Sequence, residues 1–333
     1  MVFRLSTKYE ILLSISKNYR KYFTHDVTSL NRRSHRIVNL IMDILGPSRR
    51  HFLKSTFGLA AASMVSGCSR ALTSVAKLNS DVYVENDISY GKHPRQKLDL
   101  YLPPNGGRPT SFTLFLYGGS WRWGSKDRYA FVGYSLAKRG IATAIADYRL
   151  YPEARFPVFN QDSARAAAWL LKHHKSFGLH QSLNLMGHSA GAHIAASLVA
   201  DPQYLEQQGF DAEYVQRFVG LSGPYGFRPT SVPLVADIFG TAVPETDAIP
   251  AELVQQTRTA MLLLHGGQDS VVHPKNSYAL AKSVTEKGGM AEVKIYPNVG
   301  HRGIVLSLTN PFTGIAPTLK DTCNFLAPKA ELT

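Results

Sequence analysis

Gly187-His188-Ser189-Ala190-Gly191 is the stretch that decides the fold of this 333-residue chain. It follows the apolar run Leu183-Asn184-Leu185-Met186 and precedes a helical pattern that continues to Ala200. A G-x-S-x-G pentapeptide between a strand and a helix forms a sharp turn, and its glycines leave room for a serine held above the sheet. The turn also places Ser189 at a helix N-terminus, where backbone N–H groups favour developing negative charge. The same five residues also fit an ordinary Gly/Ser turn, so it is the flanking strand and helix that predict a nucleophile.

The composition predicts one large globular domain without a metal or a cofactor. Aliphatic and aromatic residues make up 44% of the chain, as in ordinary globular proteins. The sequence holds two cysteines, Cys68 and Cys323, which excludes a disulfide framework and a Cys-rich metal cluster. It also lacks an H-E-x-x-H motif. We therefore expect no cofactor and no metal site.

The net charge of +13 belongs mainly to the N-terminal part of the chain. Up to Cys68 there are 11 of the 37 basic residues but only 3 of the 24 acidic ones, which leaves 26 basic and 21 acidic residues for the remainder. The remainder therefore has no obvious face for a polyanion, and we expect no nucleic-acid partner.

The N-terminal region carries a second pattern, in which basic, apolar and small residues follow one another. Arg49-Arg50 lies within Ser48–Lys54 and precedes a short apolar stretch, Phe57–Val65, and then Ser66-Gly67-Cys68. This arrangement resembles a twin-arginine export signal. The apolar stretch is too short for a permanent membrane helix. Val65–Cys68 is similar to a bacterial lipobox, in which the cysteine becomes lipidated, so the resemblance implies a lipid anchor on Cys68 at the periplasmic or outer-membrane face of the envelope. The alternative is a basic patch followed by a buried helix.

Export signals normally begin near the N-terminus, and Met42 would give a signal of ordinary length. We therefore expect residues 1–41 to be a misassigned extension, residues 42–68 an export signal with a lipobox, residues 69–80 a tether, and residues 81–333 the folded domain. If the long N-terminus is real, a cytoplasmic location is expected instead.

Apolar runs alternate with helical patterns in residues 81–333, which predicts an α/β fold with a mostly parallel sheet of about eight strands and helices on both faces. The first two strands suit an antiparallel pair. The Pro- and Gly-rich segment Gly223–Pro250 could form a cap over the sheet. The predicted strands are Asp81–Tyr90, Lys97–Leu102, Phe112–Tyr117, Ile141–Tyr148, Leu183–Gly187, Arg217–Leu221, Met261–His265 and Val293–Tyr296.

Two further residues are predicted to activate Ser189. A serine becomes a nucleophile when a base removes its proton and a carboxylate orients that base, and in this kind of site the acid and then the histidine follow the serine along the chain. Asp269 comes just after the apolar strand that ends at His265, and His301 follows the next strand. We assign Asp269 as the orienting acid and His301 as the general base. The alternatives are an ordinary turn aspartate and a loop histidine, and His188 and His265 are interpreted as packing residues.

A tetrahedral oxyanion needs fixed donors, and the backbone N–H groups of Gly118, Gly119 and Ala190 are the candidates. The two glycines follow a predicted strand, where the backbone can curl toward the serine, although a Gly-Gly turn without this role is the simpler alternative. Aromatic residues could line an acyl or aryl pocket beside the serine, or could belong to the core. The pocket candidates are Trp121, Tyr225 and Phe227.

Several ordered motifs resemble those of α/β-hydrolase carboxylesterases, and most closely their hormone-sensitive-lipase-like, feruloyl-esterase-like and arylformamidase-like branch. The resemblance covers roughly residues 85–327, and relatives usually carry His at the position of Tyr117. It implies mainly structural roles for Arg149 and Glu153. The motifs are Tyr117-Gly118-Gly119-Ser120-Trp121, Asp147–Glu153, Phe156-Pro157 with Asp162, and Gly187–Gly191.

The resemblance implies a serine hydrolase that cleaves small acyl or aryl carboxylic esters through an acyl-enzyme. Amide hydrolysis on the same residues, as in arylformamidases, is the alternative within enzymes, because the pocket rather than the fold decides the substrate. A surface lipoprotein that uses the fold only for binding is the alternative outside enzymes. The expected partner is a small-molecule substrate, contact with a membrane would come only through the lipid anchor, and the oligomeric state is not predicted.

Overall fold

A computed structural model describes residues 72–78, 80–104, 109 and 111–327, all within one compact unit of the chain, Ser63–Thr333. Within these residues a single sheet is formed by β1 to β8. In chain order the strands are Tyr83–Ser89, Lys97–Leu102, Ser111–Leu116, Ile141–Ala146, Leu183–His188, Val215–Leu221, Ala260–Gly266 and Ala291–Tyr296.

The strands lie in the spatial order β1-β2-β4-β3-β5-β6-β7-β8. β2 pairs antiparallel with both β1 and β4, and all the other neighbours are parallel. This topology confirms the predicted α/β class, the mostly parallel sheet of eight strands and the antiparallel opening pair.

The parallel strands are connected by helices, numbered α1 to α9 in chain order. Helices α1, α3, α7, α8 and α9 pack against the sheet. The bounds of α1 to α9 are Ala130–Ala137, Val158–His173, Ala190–Ala200, Gln203–Glu206, Ala236–Phe239, Pro250–Leu253, Lys275–Glu286, Gly303–Leu306 and Thr318–Leu326. The Pro- and Gly-rich segment 223–250 contains the short helix α5 and two 3₁₀ turns, Pro229–Ser231 and Glu245–Ala248.

The core of the sheet is at its centre. Every residue of β4 and β5 is buried, whereas the edge strands β1 and β8 contain only exposed and half-buried residues. A parallel strand covered on both faces has to be apolar at nearly every position, which explains the uninterrupted run Ile141-Ala142-Thr143-Ala144-Ile145-Ala146.

The carboxyl ends of β3, β5, β7 and β8 meet at one edge of the sheet, because these strands are all parallel. In open α/β sheets this edge is where ligands bind. Ser189 follows β5, Asp269 follows β7 and His301 follows β8, so the topology brings the three predicted residues to the same edge.

The part of the chain before the sheet is described only from residue 72. Residues 72–77 lie within the predicted tether and form a helical turn, and Ala76 is buried against the core. The predicted extension at residues 1–41 and the predicted export signal with Cys68 lie outside the described residues. Among the residues that are described, no helix combines the length and the apolar character needed to cross a bilayer.

Candidate active site

Ser189 lies in a strained turn between β5 and α3. Its backbone has φ of 54° and ψ of −121°, a conformation that costs a non-glycine residue about 1–3 kcal/mol. Two hydrogen bonds hold the turn: the Ser189 N–H donates to the Leu221 carbonyl at 2.9 Å, and the His193 N–H donates to the Ser189 carbonyl at 3.1 Å. The strained turn lifts the serine side chain off the sheet, and Ser189 remains partly exposed.

The glycines on both sides of Ser189 are required by close backbone contacts. A Cβ atom on Gly187 would lie 2.4 Å from the Gly191 carbonyl oxygen, and one on Gly191 would lie 2.1 Å from the Leu116 carbonyl oxygen. Real Cβ atoms do not approach so closely, and backbone atoms cannot move aside cheaply. The G-x-S-x-G spacing therefore lets α3 start directly against the ends of β3 and β5.

The structure brings Ser189, Asp269 and His301 together in one hydrogen-bonded row. His301 Nε2 lies 2.9 Å from Ser189 Oγ, and His301 Nδ1 lies 2.8 Å from Asp269 Oδ2. An ionised carboxylate can only accept, so Nδ1 carries the imidazole proton and Nε2 is left to accept the serine proton. The row has the geometry that nucleophilic catalysis by serine requires.

Asp269 is held as a carboxylate by its surroundings. Burial by itself would raise its pKa, but hydrogen bonds from His265, from His301 and from the Val272 N–H outweigh burial and keep the pKa of this carboxyl well below its usual range. The other carboxylate oxygen, Oδ1, accepts the N–H groups of Val271 at 2.9 Å and Val272 at 2.8 Å. The acid is therefore charged and fixed, which is what an orienting group needs.

The loop after β3 curls beside the serine. Gly119, Ser120 and Trp121 have φ of 145°, 51° and 56°. In the part of the chain that the structure describes, the N–H groups of Gly119 and Ala190 make no hydrogen bond, so both are free to act as oxyanion donors. The Gly118 N–H lies near the Tyr129 hydroxyl and opposes the rise in its pKa. The oxyanion role of Gly118, Gly119 and Ala190 stays a prediction.

The first residue of that loop, Tyr117, is completely buried. Its hydroxyl donates to Asp147 Oδ1 at 2.8 Å and accepts a hydrogen bond from Arg95 Nη2 at 2.7 Å. Arg95 Nε also donates to the Tyr148 carbonyl at 2.8 Å, and the Tyr148 hydroxyl donates back to the Tyr117 carbonyl at 2.6 Å. The start of the loop after β3, residues 117–121, which we name the oxyanion loop after its predicted role, is therefore tied to the end of β4. The contacts come from both the side chain and the backbone of Tyr117.

The three aromatic pocket candidates differ in exposure. Tyr225 is fully buried and belongs to the core, and Trp121 is 3% exposed and stacks on Phe227 with ring centroids 6.0 Å apart. Phe227 is half-buried. Of the three candidates, Phe227 therefore has the largest exposed fraction.

Residues interpreted as packing residues also support the site. His188 is buried, and its Nε2 lies 3.0 Å from the His301 carbonyl oxygen. His265 is buried between Ser277 and the Val272 carbonyl, and its Nε2 lies 3.5 Å from Asp269 Oδ2. The position of His188 inside the pentapeptide was the available signal for such a role. Tyr129, which contacts His188, had no signal in the sequence.

The remaining expectations concern cofactors and structural motifs. Among the described residues, no group of three or more His, Cys, Asp and Glu side chains is arranged to hold a metal ion. Arg149 binds the buried Asp162 with a shortest distance of 2.7 Å, and Glu153 lies 2.7 Å from His93. Both pairs lie outside the Ser189 row, in keeping with the structural roles that the resemblance implies.

Comparison with known proteins places this geometry among hydrolases. The BD-FAE family model matches residues 98–284, more than half of the chain, and the prolyl oligopeptidase family model matches residues 244–325.

Individual proteins give the same picture. A probable isoprenylcysteine alpha-carbonyl methylesterase from Arabidopsis thaliana is 29% identical over 248 residues, which cover 67% of this chain and 52% of that protein. This chain thus spans about half the length of the plant relative. A kynurenine formamidase from Salmo salar is 23% identical over 67% of this chain and 76% of its own length. Esterase B from Lactobacillus rhamnosis shares the fold, with a TM-score of 0.66 at 20% identity over 81% of this chain and 93% of its own.

Proposed function

Because the chain belongs to the BD-FAE family of α/β-hydrolase esterases, we propose that it is a serine carboxylesterase acting on small acyl or aryl esters. The observation that carries the proposal is the hydrogen-bonded row in which His301 lies 2.9 Å from Ser189 Oγ and 2.8 Å from Asp269. A module that only binds has no physical need for an ionised, fixed carboxylate behind a histidine and a strained serine.

The proposed reaction proceeds in two halves. Ser189 Oγ attacks the ester carbonyl carbon while its proton passes to His301 Nε2, and the carbonyl electron pair moves onto oxygen. The N–H groups of Gly119 and Ala190 stabilise that oxyanion. When the carbonyl re-forms, the bond to the alcohol breaks, and the alcohol leaves with the proton from His301. Water then attacks the acyl-enzyme with His301 as base, which releases the acid and restores Ser189.

Amide hydrolysis is the second candidate, and the similarity to a kynurenine formamidase favours it. The chemistry differs mainly in the leaving group, since an amine has to be protonated as it departs whereas an activated alcohol does not. His301 can supply that proton from the same position. The surrounding pocket, rather than the row of three residues, decides between the two.

The test is hydrolysis of p-nitrophenyl acetate, butyrate and octanoate by the purified protein beside its Ser189→Ala variant. Release of p-nitrophenol by the parent alone supports the esterase, and the chain-length profile measures the acyl pocket. An aryl formamide assayed in parallel identifies the amide hydrolase. If neither substrate is turned over and a fluorophosphonate does not label Ser189, the enzyme proposal fails and the binding lipoprotein is left.

We also propose that the protein is exported and lipid-anchored through Cys68. The proposal is supported by Arg49-Arg50, the short apolar stretch Phe57–Val65 and the lipobox-like Val65–Cys68. Growth of a bacterium that expresses the full chain with a clickable palmitate analogue should label the parent and not a Cys68→Ser variant. Equal labelling of both, or N-terminal peptides from residues 1–41 in the mature protein, would contradict export by this route.

A further inference from the structure

Two hydrogen bonds connect Tyr129, whose ring stacks on Tyr117 at the start of the oxyanion loop, to the loop that carries the base. Tyr129 Oη lies 3.2 Å from His188 Nδ1, and His188 Nε2 lies 3.0 Å from the carbonyl oxygen of His301. At the other end, the Gly118 N–H lies near the Tyr129 hydroxyl, and the Tyr129 and Tyr117 rings stack with centroids 5.8 Å apart. The four groups belong to four separate segments: the loop after β3, the 3₁₀ turn Lys126–Tyr129, the serine turn, and the loop after β8.

Only one arrangement of protons satisfies these hydrogen bonds. The His301 carbonyl can only accept, so His188 Nε2 must carry the imidazole proton and Nδ1 must be the acceptor. Tyr129 then donates its hydroxyl proton to Nδ1. Both donors point in one sense, from Tyr129 through His188 to the backbone of the base.

The surroundings keep both side chains in these protonation states. Burial, helped by the nearby His301 ring, lowers the pKa of His188 to about 3, so its imidazole is neutral at working pH. Burial raises the pKa of Tyr129 to about 12, against the opposing effect of the nearby Gly118 N–H, so its hydroxyl keeps the proton. Hydrogen bonds in such low-dielectric surroundings are stronger than the same bonds in water.

The hydrogen-bonded groups also lie directly beside Ser189. A Cβ atom on Gly118 would lie 2.9 Å from the Cβ of Ser189 and 3.0 Å from His188 Nδ1. The His188 and His301 rings are 4.9 Å apart between centroids. A small rotation of His188 or Tyr129 would therefore shift the oxyanion loop and the base relative to Ser189, and misplacement of about 1 Å can reduce a rate 100-fold.

We infer that Tyr129 and His188 are positioning residues that fix the oxyanion loop and His301 relative to each other across Ser189. Neither side chain touches the reacting atoms, and both act through the groups they hold. The inference rests on the proposed function, because it assigns the spacing of groups that matter only for attack by Ser189.

The experiment compares Tyr129→Phe, which removes one hydroxyl and keeps the ring, with Tyr134→Phe. Tyr134 lies on α1 and packs edge-on against Tyr101 with ring centroids 5.2 Å apart, away from the hydrogen-bond chain. We expect Tyr129→Phe to lower kcat for p-nitrophenyl acetate about tenfold with KM within twofold of the parent. Tyr134→Phe should keep both constants within twofold.

His188 is tested by a pair of substitutions. Gln at this position can still donate an amide N–H toward the His301 carbonyl, whereas Leu cannot. We expect His188→Leu to lower kcat about 100-fold and His188→Gln to retain at least ten times the activity of His188→Leu. Rates are expressed per active site, counted with a fluorophosphonate, so that a misfolded fraction does not enter the comparison.

The inference is overturned if Tyr129→Phe has the kcat of the parent, or if Gln and Leu at position 188 are equally impaired per active site. A loss confined to KM would also overturn it, because a positioning role changes the chemical step. A parent that neither hydrolyses an ester nor reacts with the fluorophosphonate contradicts the proposed function instead. If the parent reacts with the fluorophosphonate without ester turnover, the labelling rates of the same variants replace kcat.

Discussion

Lowering the pH from 7 to 5 should destabilise the folded chain, because His188 and His193 are buried as neutral imidazoles. His193 lies in α3 with no exposed surface, and its Nε2 donates to the Ala248 carbonyl at 2.9 Å. Burial lowers the pKa of His193 to about 4 and, together with the His301 ring, the pKa of His188 to about 3. In the unfolded chain both imidazoles would titrate near the ordinary value of about 6.5.

The size of the effect follows from proton linkage. Between about pH 6.5 and the lowered pKa values, the unfolded chain binds a proton at each of these two sites that the folded chain does not bind. Burial of the two neutral imidazoles therefore costs no stability above about pH 6.5. Below that pH the free energy of unfolding falls by about 1.4 kcal/mol per pH unit for each imidazole. From pH 7 to pH 5 each imidazole should cost about 2 kcal/mol, which is a large share of the 5–15 kcal/mol typical of a folded domain.

The assay is urea denaturation followed by tryptophan fluorescence at pH 7, 6 and 5 at constant ionic strength. A His193→Gln variant can keep a donor toward the Ala248 carbonyl but loses the titrating group, so its free energy of unfolding should fall by about 2 kcal/mol less than that of the parent. His180→Gln, at an exposed position, serves as the control and should follow the parent. If His193→Gln and the parent lose the same free energy between pH 7 and pH 5, His193 is not buried as a neutral imidazole and the reasoning is wrong.

Two further substitutions test the site itself. Asp269→Asn places an amide N–H group opposite His301 Nδ1, which now donates to the carboxylate, and so favours the imidazole tautomer that cannot accept the Ser189 proton. The kcat for p-nitrophenyl acetate should therefore fall about 10⁴-fold. A loss below tenfold would assign the orienting role to another acid. Gly191→Ala forces a Cβ to within 2.1 Å of the Leu116 carbonyl oxygen and should cost at least about 3 kcal/mol of unfolding free energy or prevent folding. Gly314→Ala, where a Cβ meets no atom within 4 Å, is the matched control in thermal denaturation, and equal melting temperatures for the two variants would contradict the close-contact argument.

The fold and the three central residues could be predicted because local signals and parallel topology agree. The central strands are short, largely apolar and bounded by turn residues, and β2 has the predicted bounds Lys97–Leu102. Once the strands are parallel, every residue that follows a strand reaches the same edge of the sheet. Ser189, Asp269 and His301 meet there although His301 is 112 residues from Ser189 in the chain.

The supporting hydrogen bonds could not be predicted, because they depend on contacts that no local pattern encodes. The bond from His188 to the His301 carbonyl joins residues 113 positions apart, and Tyr129 reaches His188 from a 3₁₀ turn 59 positions away. The spatial order β2-β4-β3 could not be predicted from the sequence either, since it depends on which edge of the sheet each crossover connection returns to. The sequence also does not distinguish an aromatic residue that lines a pocket from one that belongs to the core. Tyr225, a pocket candidate, is fully buried in the core.

Tyr117 illustrates how a departure from the usual motif can preserve the loop that follows it. The resemblance drawn from the sequence implies a His there, and the phenol of this chain reaches Asp147 at the end of β4 while accepting from Arg95. Burial raises the pKa of Tyr117 well above its ordinary value, so the hydroxyl stays protonated and remains a donor. Because Tyr148 separately holds the Tyr117 carbonyl at 2.6 Å, the backbone leading to Gly118 and Gly119 is fixed from two sides. In this chain a buried donor with a fixed acceptor, supported by Arg95, therefore holds the start of the loop.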